Sequence, residues 1–120
     1  MTIHQAIYER LKEVAWKGEL INYGEIAPMA GLNMESQADR NKIGEILGEI
    51  SSSEHKNGRP MLSAVVVLAG VGYPGEGFYH LAHDLGLHHG HGDLADMEFF
   101  VQEVKKVHQY WQAHSSEEFI

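Results

Sequence analysis

Apolar residues at Ile3, Ile7, Leu11 and Val14 recur one helical turn apart, with charged residues between them. That spacing predicts an amphipathic first helix, opened by a capping box of Thr2 with Gln5 and stopped at Gly18. INYGEIAPMAG then reads as a short helical turn, interrupted at Pro28, whose ring and missing N–H oppose a longer helix. Ser36 with Asp39 repeats the capping-box pattern and opens a helix through QADRNKIGEILGEIS, with Ile43, Ile46, Leu47 and Ile50 as its buried face. The polar run SSSEHKNG reads as an exposed loop. After Arg59 and Pro60, MLSAVVVLAG is β-branched and almost continuously apolar, which suits a buried strand.

GVGYPGEGF reads as the turn of a hairpin leading into a return strand. Pro74 presets φ, and Gly75 and Gly77 are expected to supply positive φ. Tyr73 and Phe78 are candidates for an exposed contact at its tip, with core packing the alternative for Phe78. FYHLAHDLG looks like a short helix, or a strand and turn, ending at Gly86. Asp93 or Asp96 can cap a long final helix whose stripe is Met97, Phe100, Val101, Val104, Val107 and Trp111, and SSEEFI reads as a frayed tail.

The expected class is therefore α+β, in the chain order of a winged helix-turn-helix: three helices, a β-hairpin wing and an additional C-terminal helix. One domain is expected over 1–120, with a winged-helix-like core at 1–80, a His/Gly-rich loop at 81–93 and a C-terminal helix at 94–114. A chain of 120 residues with 43% hydrophobic content can bury one modest core. No run of eighteen apolar residues occurs, and the N-terminus lacks the apolar stretch of a signal peptide, so a cytoplasmic protein with no membrane partner is expected. The absence of cysteine excludes disulfides, thiolate metal sites and a thiol nucleophile.

Charge divides the chain. Residues 1–60 carry seven Lys/Arg against nine Asp/Glu, and residues 61–120 carry two against eight, for a net charge of −8. An acidic surface repels phosphate backbones, so any nucleic-acid contact should come through the N-terminal half.

In that half, INYGEIAPMAG, NKIGEILGEI and RPMLSAVVV followed by a glycine-rich turn resemble the C-terminal domain of the alkylguanine-DNA alkyltransferases and alkyltransferase-like proteins. The resemblance covers about residues 20–80, and YGEIA is its most specific piece. It implies a winged-helix scaffold, with Tyr23 and Gly24 near the phosphate beside a flipped nucleotide. The helix-borne arginine of the family falls at Asn41, with Arg40 one position early. Its reactive cysteine falls at Met61, its histidine at Leu62 and its following arginine at Ser63. Without a thiolate there is no alkyl acceptor, so the resemblance implies a scaffold without alkyl transfer. Tyr23, Gly24, Arg40, Asn41 and Lys42 are the candidate nucleic-acid contacts, opposed by Glu45 and Glu49 further along the same helix.

Two other constellations carry chemistry. Glu54, His55 and Arg59, with Met61 and Ser63 just beyond, are candidates for a pocket with an acid/base cluster; the plainer reading is a charged loop with Arg59 paired to Glu54. The stretch HLAHDLGLHHGHGD holds His80, His83, His88, His89 and His91. These could ligate Zn²⁺ or Ni²⁺, but the spacing matches no established site such as HExxH, and glycines flank His91. A solvated loop is the expected state, and no cofactor is expected. The functional expectation is a non-enzymatic binding module for nucleic acid; the alternatives are an acidic module for a basic protein partner and a His-cluster metal protein. The final helix offers a surface for a homodimer.

Overall fold

A computed structural model describes residues 4–114 of the chain. Thr2 and Ile3, and with them the expected first cap, lie outside the described residues, as does the SSEEFI tail. Helix α1 (Gln5–Trp16) is capped instead by His4, whose Nδ1 accepts from the Ile7 N–H at 3.3 Å. Ile7, Leu11 and Val14 face inward as their spacing predicts, and Gly18 follows the helix at φ +71°.

The short segment β1 (Ile21–Asn22) leads directly into α2 (Tyr23–Ile26). A capping box starts that helix: Asn22 Oδ1 accepts from the Glu25 N–H, and the Glu25 carboxylate accepts from the Asn22 N–H, both at 3.0 Å. A 3₁₀ turn over Ala27–Ala30 follows, with Pro28 in its first turn, where the missing N–H costs little.

Helix α3 (Gln37–Lys56) is longer than the pattern predicts. Ser36 Oγ accepts from the Asp39 N–H, as expected, but the Asp39 carboxylate turns back to the Asn33 N–H. The expected loop at SSSEHKNG is mostly helical, because Ser51 and Glu54 lie on the buried face and find polar partners there.

The apolar run after Pro60 is buried throughout residues 61–67 but is not one strand. It forms a 3₁₀ turn (Leu62–Val65) and then β2 (Val66–Val67). Strand β2 pairs in parallel with β1, Ile21 opposite Val66 and Asn22 opposite Val67. No β-hairpin wing forms among the described residues. The chain instead turns at Gly70 and Gly72, both at positive φ, closed by Leu68 N–H donating to Tyr73 O. It then enters α4 (Glu76–Asp84), with Gly75 at φ −71° as its N-cap, so Gly75 and Gly77 do not play the expected turn roles. Phe78 is buried and Tyr73 exposed.

The last helix, α5 (Asp93–Ala113), is capped by Gly92, with Asp93 and Asp96 in its first turn. Its buried face is Phe100, Glu103, Val107 and Trp111; Met97 and Val101, expected in the stripe, are exposed with Leu94. The apolar positions cover a wider arc than the core accepts, and a glutamate occupies the centre of the contact. One core joins residues of α1, α3, α4 and α5 to the 61–67 segment. The result is a mostly helical α+β fold with a two-stranded parallel sheet. Among the described residues, no helix is long and apolar enough to cross a membrane.

Glu103 is 3% exposed, and its Oε2 accepts from the Met61 N–H at 2.9 Å. Glu103→Leu should strand that N–H and destabilise the fold by roughly 1–3 kcal/mol, whereas Glu103→Gln retains an acceptor and should cost less. Urea unfolding midpoints at unchanged slope would measure both; equal losses would show that the bond is not what stabilises this contact.

Candidate functional site

The start of α3 faces Tyr23 and the 68–81 segment across a cleft of about 710 Å³. Its apolar lining comes from Met34, Ile43, Leu47, Leu68, Phe78 and Leu81; its polar lining includes Tyr23, Gln37, Arg40, Asn41, Glu45 and Glu76. Three residues expected to contact nucleic acid, Tyr23, Arg40 and Asn41, therefore come together on one concavity.

The Tyr23 hydroxyl accepts from the Gly75 N–H at 3.1 Å and so fixes the entry to α4. Burial raises its pKa above the ordinary 10.0, against the lowering effect of that hydrogen bond. The phenol stays protonated, and its own hydrogen is available to an acceptor in the cleft. Arg40 donates to Met34 O at 2.6 Å and to Gln37 Oε1 at 2.8 Å, which uses two of its five N–H groups and aims the guanidinium. Asn41 Oδ1 accepts from Gln37 Nε2 at 2.9 Å, leaving the amide NH₂ of Asn41 facing solvent or a ligand. Lys42 is exposed beside Glu45, 3.8 Å away. Gly24 sits on α2, where an added Cβ would stand 3.2 Å from the capping oxygen of Asn22.

The basic residues of α1 do not extend this surface freely. Lys12 is buried, 2.7 Å from Glu9 and over the rings of Tyr8 and Trp111, while Arg10 and Lys17 share Glu13.

The other pocket candidates separate. Glu54 is fully buried, with Arg59 donating to its carboxylate at 2.8 and 2.5 Å and the Tyr8 hydroxyl at 3.3 Å. That carboxylate holds the Arg59 pKa above its usual value; burial and then Glu54 raise that of Tyr8. His55 makes none of these bonds. Ser63 Oγ lies 2.6 Å from Ser51 Oγ, and Met61 is fully buried. The Arg59–Glu54 pairing of the plainer reading is present, but Glu54 is buried on α3 rather than carried on a charged loop, and Ser63 is engaged with Ser51.

Of the histidine stretch, His80, His89 and His91 are exposed as a solvated loop would have them, but His88 is buried and His83 half-buried. His83 closes α4, and His88, 5% exposed, stacks between His83 and Phe99 at 4.4 and 4.7 Å between ring centroids. His91 stacks on the other side of His83 at 4.9 Å. His88 Nε2 is 2.7 Å from Asp96 Oδ1. Gly90 permits this closeness, since an added Cβ would meet the Ala95 Cβ at 2.8 Å. His80 lies on α4 at the rim of the adjoining cavity, and His89 is exposed.

Sequence reasoning missed three features. The Asn22–Glu25 box was legible as Asn-x-x-Glu. Glu103 and the Asp96–His88 bond depend on tertiary contact and left no local signal. Comparison with protein-family models, with curated proteins and with solved structures returns no match, so the site rests on its own geometry.

Stability should respond to Tyr23 in a pH-dependent way. With its folded pKa raised, Tyr23 contributes stability that is fully present below pH 10.0 and is lost as pH rises through the folded value. Tyr23→Phe should lower stability by about 1 kcal/mol at neutral pH through the lost Gly75 bond, yet lose less than wild type on passing to alkaline pH. Melting curves on either side of pH 10.0 test this; parallel declines for the two proteins would refute it.

Proposed function

We propose that the chain is a non-enzymatic binding module that takes one unpaired or extruded nucleotide of a nucleic acid into the Tyr23–Arg40–Asn41 cleft. The observation that carries this reading is the convergence of a half-buried phenol, a guanidinium and a carboxamide on a concavity with an apolar lining. An apolar slot suits the face of a base, the amide and phenol suit its edge or sugar, and Arg40 suits a phosphate. The resemblance to the alkyltransferases points to the same face, in a helix-turn-helix chain order (α2, then α3) without the wing. Met61 stands where that resemblance puts the reactive cysteine, and a thioether offers no thiolate, so no alkyl transfer is proposed.

The charge distribution sets the strength. Arg40 and Lys42 are the cations beside the cleft, Glu45 and Glu76 line it, and the chain carries −8 overall. Binding is therefore weak, favoured at low salt and dependent on few phosphates. A second reading, an acidic module for a basic protein partner, draws on the same net charge and on the glutamate pairing of Arg10, Lys12 and Lys17.

Fluorescence anisotropy of labelled single- and double-stranded oligonucleotides separates the two. The expected result is preference for unpaired bases, with log affinity falling against log salt at a slope of about −1 to −2, as one or two phosphate contacts require. Arg40→Gln should weaken binding about tenfold or more and flatten the slope. No binding at low salt in either form would end the nucleotide reading and favour the basic-partner one.

A further inference from the structure

Across α4 from the cleft, a second group of side chains has the composition of a metal centre. We propose that His83, His88 and Asp96 form a site for a divalent transition cation, Zn²⁺ by preference, that ties α4 to α5.

Ligand atoms of these three residues all lie within 4.8 Å of one another. Two imidazoles and a carboxylate are a donor set that zinc accepts, and around a tetrahedral zinc such atoms stand about 3.3 Å apart. His88 Nε2 and Asp96 Oδ1 are already closer than that, at 2.7 Å, so the set needs only a modest adjustment. The largest share falls to His83, a half-buried side chain in the last turn of α4.

The surroundings are those of a held site. His88 is 5% exposed and clamped against the Phe99 ring at 4.7 Å and 18°, which limits the positions its nitrogens take. Gly90 packs the connecting loop onto α5 with no room for a Cβ. On the open side lies a cavity of about 320 Å³ lined by Glu76, Tyr79, His80, His83, His91 and Asp96. It gives an ion a way in and leaves room for a water in the fourth position. The ligands come from α4, the 85–92 connection and α5, so the cation adds a tie between segments already joined by aromatic stacking, by the backbone hydrogen bonds of Leu87 and His88 to Ala82, and by the His88–Asp96 contact. The consequence reaches the cleft: Phe78 and Leu81 on the other face of α4 line it.

The test titrates Zn²⁺ into tag-free protein against a chromophoric chelator, with Co²⁺ as a spectroscopic probe of coordination. The expected result is one zinc per chain, a Co²⁺ spectrum of tetrahedral intensity, and a rise in Kd of tenfold or more in His83→Gln and in Asp96→Asn. His89→Gln, altering an exposed residue outside the set, should leave Kd unchanged. Side-chain ¹⁵N spectra of the wild-type chain supply a readout that needs no variant: zinc should shift the His83 and His88 ring nitrogens and spare His89. Absent or multiple weak binding, an equal loss in His89→Gln, or wild-type spectra in which His83 and His88 do not move would overturn the proposal.

Discussion

Residues 61–67 are buried in the interior, and the polar groups of that backbone need partners inside the protein. The Met61 N–H donates to Glu103 of α5, and the Ser63 N–H to Ser51 of α3. Val66 and Val67 pair with β1. An unpaired buried N–H costs roughly 1–3 kcal/mol, so these partners are required rather than decorative. They explain otherwise puzzling features: a glutamate at the centre of a helix-packing face, a serine in the core, and a third helix that runs past its apolar stripe.

The same requirement shapes the cleft. Once β2 is held beside β1, the chain emerging at Leu68 turns and delivers α4 opposite the start of α3. The Tyr23 hydroxyl, carried by the helix directly after β1, locks the turn through Gly75. Core and cleft are thus linked through β1, whose two residues precede the tyrosine that lines the site. Helix α4 in turn presents Phe78 and Leu81 to the cleft and Tyr79 and His83 to the histidine cluster. Glu76 lines both cavities.

Much of this was legible in the chain. Periodicity identified α1, most of α3 and α5, because Ile7, Leu11, Ile43, Leu47, Phe100 and Val107 face inward at helical spacing. Tyr23, Arg40 and Asn41 were singled out by the resemblance to the alkyltransferases, Arg40 and Asn41 also by their place near a helix start, and all three line one cleft. What failed did so for physical reasons. Continuous burial of 61–67 cannot distinguish a strand from a 3₁₀ turn, since period carries no information when every face is inside. SSSEHK looked solvated because Ser51 and Glu54 are polar, yet both are buried against partners distant in sequence, Ser63 and Tyr8 among them. The wing was expected from glycines that instead serve a turn and a helix start. The order around His88 depends on Asp96 and Phe99, eight and eleven residues on, which no local pattern reveals.

The central proposal is that the face joining Tyr23, Arg40 and Asn41 is where a nucleic acid meets this chain. Amide correlation spectra of the ¹⁵N-labelled protein, titrated with a duplex carrying one unpaired base, address it most directly. The account predicts shifts clustered at Tyr23, Arg40, Asn41, Gly44, Gly75 and Gly77, with α5 and the Glu54–Arg59 pair unmoved, and weaker changes with a fully paired duplex. Shifts centred on any other face, or identical responses to both duplexes, would contradict it.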